Sequence, residues 1–446
     1  MTIFKNISGV LFLALLATGG CAKRAAKDVS PAEAAANLAA DVARLSAAGD
    51  SIALGRALHD GCSDKASRQK CLESQLVPLA TEGKVKLAMG ALAQLASIDS
   101  DVGADGHVYA HAIGIAAGQN VSNVAGAFTQ CSESFQSGCY HGVIQAWFGK
   151  QKTVGEKEAN ELCEPFRGNE GQRWIRFQCV HGMGHGLTML YKHDLKKGVE
   201  GCDLLSDDWD RHACYGGAFM ENIVNVTNPH HPASALAPGH SSAGDSADEH
   251  AGHDMAEMGN DAKPFKAVDP SDQLYPCSIL GEKYQSACYG MQTSVMLYNN
   301  GGDMADAARA CDKAPKAMRS TCYASLGRDI SSYARQVHVE AIRMCSLGGG
   351  SPYKPWCFLG VVKNLIDLNA RSSDGLAFCK SVPGDGNKQI CYAAVGEQIL
   401  VLTPDLEQRR RQCADSEPAH VEACHFGARV TTQIPPGLAK VYAAID

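Results

Sequence analysis

The sequence predicts an all-α fold of stacked helical hairpins, each stapled to the next by a disulfide. Three observations predict it. With Cys21 set aside, eighteen of the 19 cysteines fall into close pairs: Cys62/Cys71, Cys131/Cys139, Cys163/Cys179, Cys202/Cys214, Cys277/Cys288, Cys311/Cys322, Cys345/Cys357, Cys379/Cys391 and Cys413/Cys424. The first members of the last five pairs are 34 residues apart, which is the length of a helix–turn–helix repeat. The stretch after each second Cys carries helical apolar spacing, as in Cys322 to Tyr333, and another such stretch leads into the next first Cys, as in Val337 to Cys345.

Each unit then has a helix A opening at the second Cys and a helix B ending at the next first Cys. The even count and regular pairing favour bonds between neighbours. Each bond closes a loop of roughly ten residues, worth about 2–3 kcal/mol by loop-closure entropy. Thiolate zinc sites are the rival for paired Cys, but they need reducing conditions, and the N-terminus argues against those. Met1 to Gly20 has an early Lys5, an apolar run from Ile7 to Leu16, and small residues before Cys21. That reads as a signal peptide (1–20). The run is too short for a lone membrane helix. Thr18-Gly19-Gly20-Cys21 resembles a bacterial lipobox, with Thr18 where Leu is usual. Cys21 is then the lipidated N-terminus of a tether (21–30). Ala22-Lys23 lacks the Asp that retains lipoproteins in an inner membrane, so the expectation is an outer-membrane lipoprotein facing the periplasm, held to the membrane by its lipid.

The second Cys of a pair is followed by an aromatic residue or His and then a Gly, as in Cys288-Tyr289-Gly290 and Cys424-His425-Phe426-Gly427. In this the chain resembles the tetratricopeptide-like α/α repeats of the disulfide-stapled, cysteine-rich extracellular type, over most of residues 55–440. The usual tetratricopeptide Trp/Leu/Gly/Tyr pattern is absent. The resemblance implies a curved, right-handed solenoid and no particular activity.

The N-terminal repeats (31–225) keep the frame with one break. From Cys71 to Cys139 is 68 residues, twice 34, and the halfway residue is Asp105, where helix A should open without a Cys. The regular C-terminal repeats occupy 269–446. Between them, residues 226–268 are an insertion, expected to be a disordered surface loop. It holds His230, His231, His240, His250, His253, Met255 and Met258 among Asp and Glu. Imidazole with thioether suits copper, and imidazole with carboxylate suits zinc, nickel or copper. The tract resembles those of periplasmic copper-handling proteins and is expected to capture metal weakly.

A sharper pattern comes from aligning the helices on their opening residue. Position +2 is His107, His141 and His181 in three successive repeats, and position +6 is His111, Gln145, His185 and Met220 in four. These positions share a helix face. Stacked A helices should therefore carry His107, His111, His141, His181 and His185 on one wall as candidate metal ligands, with Glu221 beside them as a further candidate ligand. Gly142, Gly182, Gly184, Gly186, Gly216 and Gly217 lower helix propensity nearby, which close helix approach or room for a ligand would explain. The later repeats carry Gly290, Ala324, Leu359, Ala393 and Phe426 at +2, so the His are not general scaffold. Packed helices lie about 8–10 Å apart, which allows one ion shared by two or three helices, or two adjacent ions. The remaining residues His59, His193, His212, His338, His420 and His425 are scattered and expected to be structural or exposed.

Several classes are disfavoured. The net charge of −7 gives no reason to expect nucleic acid. No H-E-x-x-H, C-x-x-C-H, G-x-S-x-G or Walker-type loop stands out, and paired Cys leave no thiol nucleophile. The expectation is an envelope lipoprotein that binds copper, or else zinc or iron. One alternative is a metalloenzyme on the same His, with Glu221 or Tyr109 as an acid–base group. The other is a non-catalytic scaffold whose concave face docks a peptide or envelope protein.

Overall fold

The computed structural model describes residues 30–119, 124–168, 172–227 and 266–445. The signal segment, Cys21 and its tether, and the His/Met-rich tract of 228–265 lie outside the described residues. Within them the chain is all helical, with 23 α-helices and no strand.

The helices stack in sequence as a solenoid of hairpins. The A helices are Arg68–Thr81, Gly106–Gln119, Gly138–Phe148, Arg173–Leu190, Asp208–Thr227, the interrupted pair Glu282–Tyr289 and Thr293–Asn299, then Arg319–Tyr333, Lys354–Asn369, Asp385–Leu402 and Val421–Gly427. Consecutive A helices pack side by side, and the array continues from Asp208–Thr227 to Glu282–Tyr289 across the insertion. Most of the B helices between them are shorter, Val85–Ile98 being as long as its neighbours. Asp is their recurrent N-cap: Asp50, Asp194, Asp303 and Asp405 accept the backbone N–H of Ala53, Lys197, Asp306 and Gln408. Such a carboxylate satisfies an amide that the helix cannot, worth about 1 kcal/mol.

All nine neighbour disulfides are present, with Cα–Cα separations from 5.5 to 5.9 Å. Eight of them run from the end of a B helix, or the turn just after it, to the next A helix, while Cys277 reaches Cys288 from a run of turns. The second Cys does not open its helix, however. Cys179 stands inside Arg173–Leu190 and Cys391 inside Asp385–Leu402, so the staple grips a turn already formed. The Tyr after it anchors the same corner. Tyr323 Oη donates to Asp312 at 3.2 Å and Tyr392 Oη to Glu417 at 3.0 Å, and Tyr215 donates likewise to Asp203. Nine disulfides belong to an oxidising compartment. No described helix is long and apolar enough to cross a membrane.

Glycine sets how closely the A helices pair. A Cβ on Gly142 would overlap the His111 carbonyl oxygen, and one on Gly114 would overlap that of Cys139. The same reciprocal contact joins Gly217 to His181 and Gly184 to Cys214, Gly360 to Ala324 and Gly327 to Cys357, and Gly427 to Ala393 and Gly396 to Cys424. In the last three pairs the carbonyl met by the second helix's glycine belongs to the residue two past the first helix's Cys. His111 occupies that slot in the first pair. The Cys-less helix is thus in register with Tyr109 in the Cys place, one helical turn beyond Asp105. His111, and not His107, is the structural equivalent of His141 and His181. With no Cys to mark the register, a 34-residue count could not see the shift.

The array also bends back on itself. Phe135 N–H donates to the Leu368 carbonyl at 3.1 Å, and Gln136 Nε2 donates to Asn364 Oδ1 at 2.6 Å. Helix Arg173–Leu190 touches helix Asp385–Leu402.

Candidate functional site

Five histidines from three successive A helices meet at one place. His107 and His111 come from Gly106–Gln119, His141 from Gly138–Phe148, and His181 and His185 from Arg173–Leu190. His141 is the hub. Its ring centroid lies 5.6 Å from that of His107, 6.4 Å from His111, 5.1 Å from His181 and 5.1 Å from His185. The remaining contacts close the group: 5.8 Å between His107 and His111, 6.3 Å between His111 and His185, and 5.2 Å between His181 and His185. His111, His141 and His185 are buried, while His107 and His181 are partly covered.

The one-turn register shift explains why all five meet. With His111 level with His141 and His181, His107 stands one turn before that level and His185 one turn after it. The glycine contacts then bring the backbones close enough for neighbouring rings to touch. The glycines themselves are explained by packing. Gly327, Gly360, Gly396 and Gly427 make the same contacts in repeats that hold no such His.

Oxygen atoms fix several rings from outside. His107 Nδ1 lies 2.9 Å from the Phe135 carbonyl, His141 Nε2 lies 3.0 Å from Gln178 Oε1, and His185 Nδ1 lies 2.8 Å from Glu221 Oε2. A carbonyl or carboxylate oxygen can only accept, so each of these nitrogens carries a hydrogen. Gln145 Nε2 donates to the same Glu221 oxygen at 3.3 Å. His193 Nδ1 stands 3.9 Å from Glu221 Oε1, so a histidine expected to be merely structural flanks the site. Two buried acceptor-capable atoms inside the group, His141 Nδ1 and Gln145 Oε1, have no hydrogen-bond partner.

Burial keeps His141 and His181 neutral. It holds His141 well below the ordinary imidazole range, aided by His185, His181 and His107 and opposed by the bond to Gln178. Burial, with His185 and His107, pushes His181 down to about 3 against a hydrogen bond to the Ala213 backbone. Desolvation disfavours the charged form, and clustered imidazoles cannot all be cationic.

Glu221 therefore stands outside the rings as a hydrogen-bond partner of His185. Tyr109 is buried, its phenol pushed up to about 12 by burial and then by Asp105 and Glu73. None of its charged neighbours belongs to the cluster. As the side chains stand, no group of three or more His, Cys, Asp or Glu among the described residues is arranged to hold a metal ion. The secondary capture residues His230, His231, His240, His250, His253, Met255 and Met258 lie outside the described residues. Sequence reading missed Gln178 and the Phe135 carbonyl. Gln178 immediately precedes Cys179 and carries no periodic signal, and a backbone carbonyl leaves none.

One further group borders the cluster. Phe177 stacks on His181 at 5.5 Å, with Trp174 at 6.1 Å and Trp209 at 6.0 Å from Phe177. Arg173 and Arg176 each lie over Trp209 at 5.2 Å.

No family model matches the chain, and no curated protein and no solved structure matches it either.

Proposed function

We propose that this chain is a transition-metal-binding lipoprotein of the bacterial envelope, holding copper, or else zinc or iron, in the five-histidine cluster. The observation that carries the reading is His141, buried with imidazoles on four sides and with its Nδ1 lacking any partner. Buried polar atoms are ordinarily satisfied. The Nδ1 of a neutral His141 is a buried lone pair with no hydrogen-bond donor on it, and a Lewis-acidic cation would satisfy it.

The spacing supports this. A nitrogen ligand sits about 2 Å from zinc or a similar ion, which places two imidazole centroids on one ion about 5–6 Å apart. His107, His181 and His185 already have that spacing from His141, with His111 slightly farther at 6.4 Å, so ring rotation is the main change that closing on an ion calls for. The outer partners Gln178, Glu221 and Phe135 are of the kind that orient metal-bound imidazoles. Neutral imidazole suits copper, zinc, nickel and iron. Copper leads because the tract of 228–265 adds thioether to imidazole, and its role here is to collect or deliver the ion. Lipidation at Cys21 would keep the site at the outer membrane, facing the periplasm.

The test is equilibrium titration of the oxidised full chain with Cu(II) and with Zn(II), beside a variant lacking 228–265 and a His141→Ala/His181→Ala double variant. The reading expects a tight stoichiometric site that survives loss of the tract and disappears with the two His. Equal binding by the double variant would overturn it.

A further inference from the structure

We infer that the C-terminal repeats are a positioning element for His107, acting through Asn364 and Leu368 on the turn Phe135–Ser137. This inference rests on the cluster being a metal site.

The turn bridges two distant parts of the chain. Phe135 N–H donates to the Leu368 carbonyl at 3.1 Å, while the Phe135 carbonyl faces His107 Nδ1 at 2.9 Å. One residue thus ties a cluster ring to helix Lys354–Asn369. The next residue repeats the link, Gln136 Nε2 donating to Asn364 Oδ1 at 2.6 Å across 228 positions of sequence. Asn364 is buried, so the bond is sheltered from water.

The backbone of the turn says that the bridge is imposed. Phe135, Gln136 and Ser137 have φ of 57°, 52° and 60°, three successive non-glycine residues in the left-handed region. L-residues avoid that region, and a run of three persists only where its surroundings over-determine it. Cys131–Cys139 and the hydrogen bond from Ser137 N–H to the Glu133 carbonyl at 3.3 Å close the turn locally. The docking on Leu368 and Asn364 is the contact that comes from outside. Gly106 completes the seat, because a Cβ there would overlap the Phe135 ring.

The consequence is chemical. While the Phe135 carbonyl stays in place, His107 carries a hydrogen on Nδ1. If the turn relaxes, the carbonyl withdraws and the ring loses that hold. Asn364 therefore acts on the cluster without touching it, and the C-terminal repeats brace the site rather than merely lengthening the array.

The experiment uses the oxidised full chain, with Cu(II) as the probe, in Gln136→Leu, Asn364→Leu, the double variant, and Asn387→Leu as a control in the same arm, a half-buried amide whose bond is to the nearby Pro383 carbonyl. Outer partners of metal-bound His typically change affinity by about 10- to 100-fold. Each single variant is expected to weaken Cu(II) binding by that factor and to change the nitrogen hyperfine pattern in electron paramagnetic resonance. The double variant should be no worse than either single one, and the control unchanged. Wild-type affinity and spectrum in the folded variants would overturn the inference and leave the metal reading intact. No Cu(II) binding by the wild type would overturn the metal reading first. Two readouts on the metal-free wild type need no variant to fold: a ¹⁵N signature of His107 as the Nδ1–H tautomer, and a Phe135 amide protected from hydrogen exchange. A fast-exchanging Phe135 amide or the opposite tautomer would overturn the bracing by itself.

Discussion

His185 Nδ1 lies 2.8 Å from Glu221 Oε2, so the Glu221 carboxylate is the hydrogen-bond partner that orients His185. Glu221→Gln keeps the size of the side chain and an oxygen acceptor but removes the charge. The expected result is a loss of about 10- to 100-fold in metal affinity at unchanged stoichiometry. Calorimetric titration checks it. Loss of a whole equivalent of metal would instead make Glu221 a direct ligand.

The glycine pairing predicts a stability pattern that ignores the cluster. Gly217→Ala pushes a methyl into the His181 carbonyl and Gly360→Ala pushes one into that of Ala324. Both should destabilise by about 1–3 kcal/mol, the range for overpacking a tight interior. Gly281, with nothing within 4 Å of its Cβ position, should tolerate Ala within about 0.5 kcal/mol. Denaturant midpoints of the three variants check this. If Gly360→Ala proved harmless while Gly217→Ala did not, the glycines would serve the cluster after all.

Much of the architecture was legible in the sequence, because disulfides leave a mark that spacing can read. Pairs of Cys at a 34-residue step define where hairpins meet, and the five His stand out because later repeats lack them. What was not legible has a common cause. The register of Gly106–Gln119 depends on which backbone carbonyl a glycine in the next helix touches, and the missing Cys removed the only sequence ruler for it. The docking of Phe135 and Gln136 on Lys354–Asn369 is made by backbone and amide groups with no periodic signature. Sequence placed Glu221 beside the His and could not say which of its neighbours it would bond.

Acid should act on the metal-free protein with opposite signs at two places. His141 and His181 titrate below the unfolded value of 6.5, the latter at about 3. Their neutral form belongs to the folded state, so their contribution is present above pH 6.5 and is lost as pH falls from there toward about 3. Asp367 is the reverse. Burial, opposed by Lys363 and by the hydrogen bond from Gln398, raises its carboxyl to about 7 from an ordinary 3.8. Its contribution is full below 3.8 and is lost as pH rises through about 7. Thermal midpoints from pH 4 to pH 8 should therefore fall less steeply at the alkaline end in Asp367→Asn than in the wild type. They should fall less steeply at the acid end in His141→Ala/His181→Ala. Identical pH profiles for all three proteins would contradict both assignments.

Opening one staple should cost roughly what a short loop predicts. Cys345→Ala/Cys357→Ala frees a loop with a sequence separation of 12 and should lower stability by about 2–3 kcal/mol. Because each repeat leans on its neighbours, protection from hydrogen exchange should fall first in the flanking helices His338–Ser346 and Lys354–Asn369. A loss spread evenly over the whole array would contradict nearest-neighbour stapling.

The central claim is that the imidazoles gathered around His141 hold a transition metal. The most direct measurement is the metal content of the oxidised full chain purified after export to an oxidising compartment, set beside the same preparation of His141→Ala. At least one equivalent of copper, zinc or iron per chain in the wild type, absent from the variant, is the result this account predicts. A folded, fully disulfide-bonded wild type that carries no stoichiometric metal and takes up none on titration would contradict it.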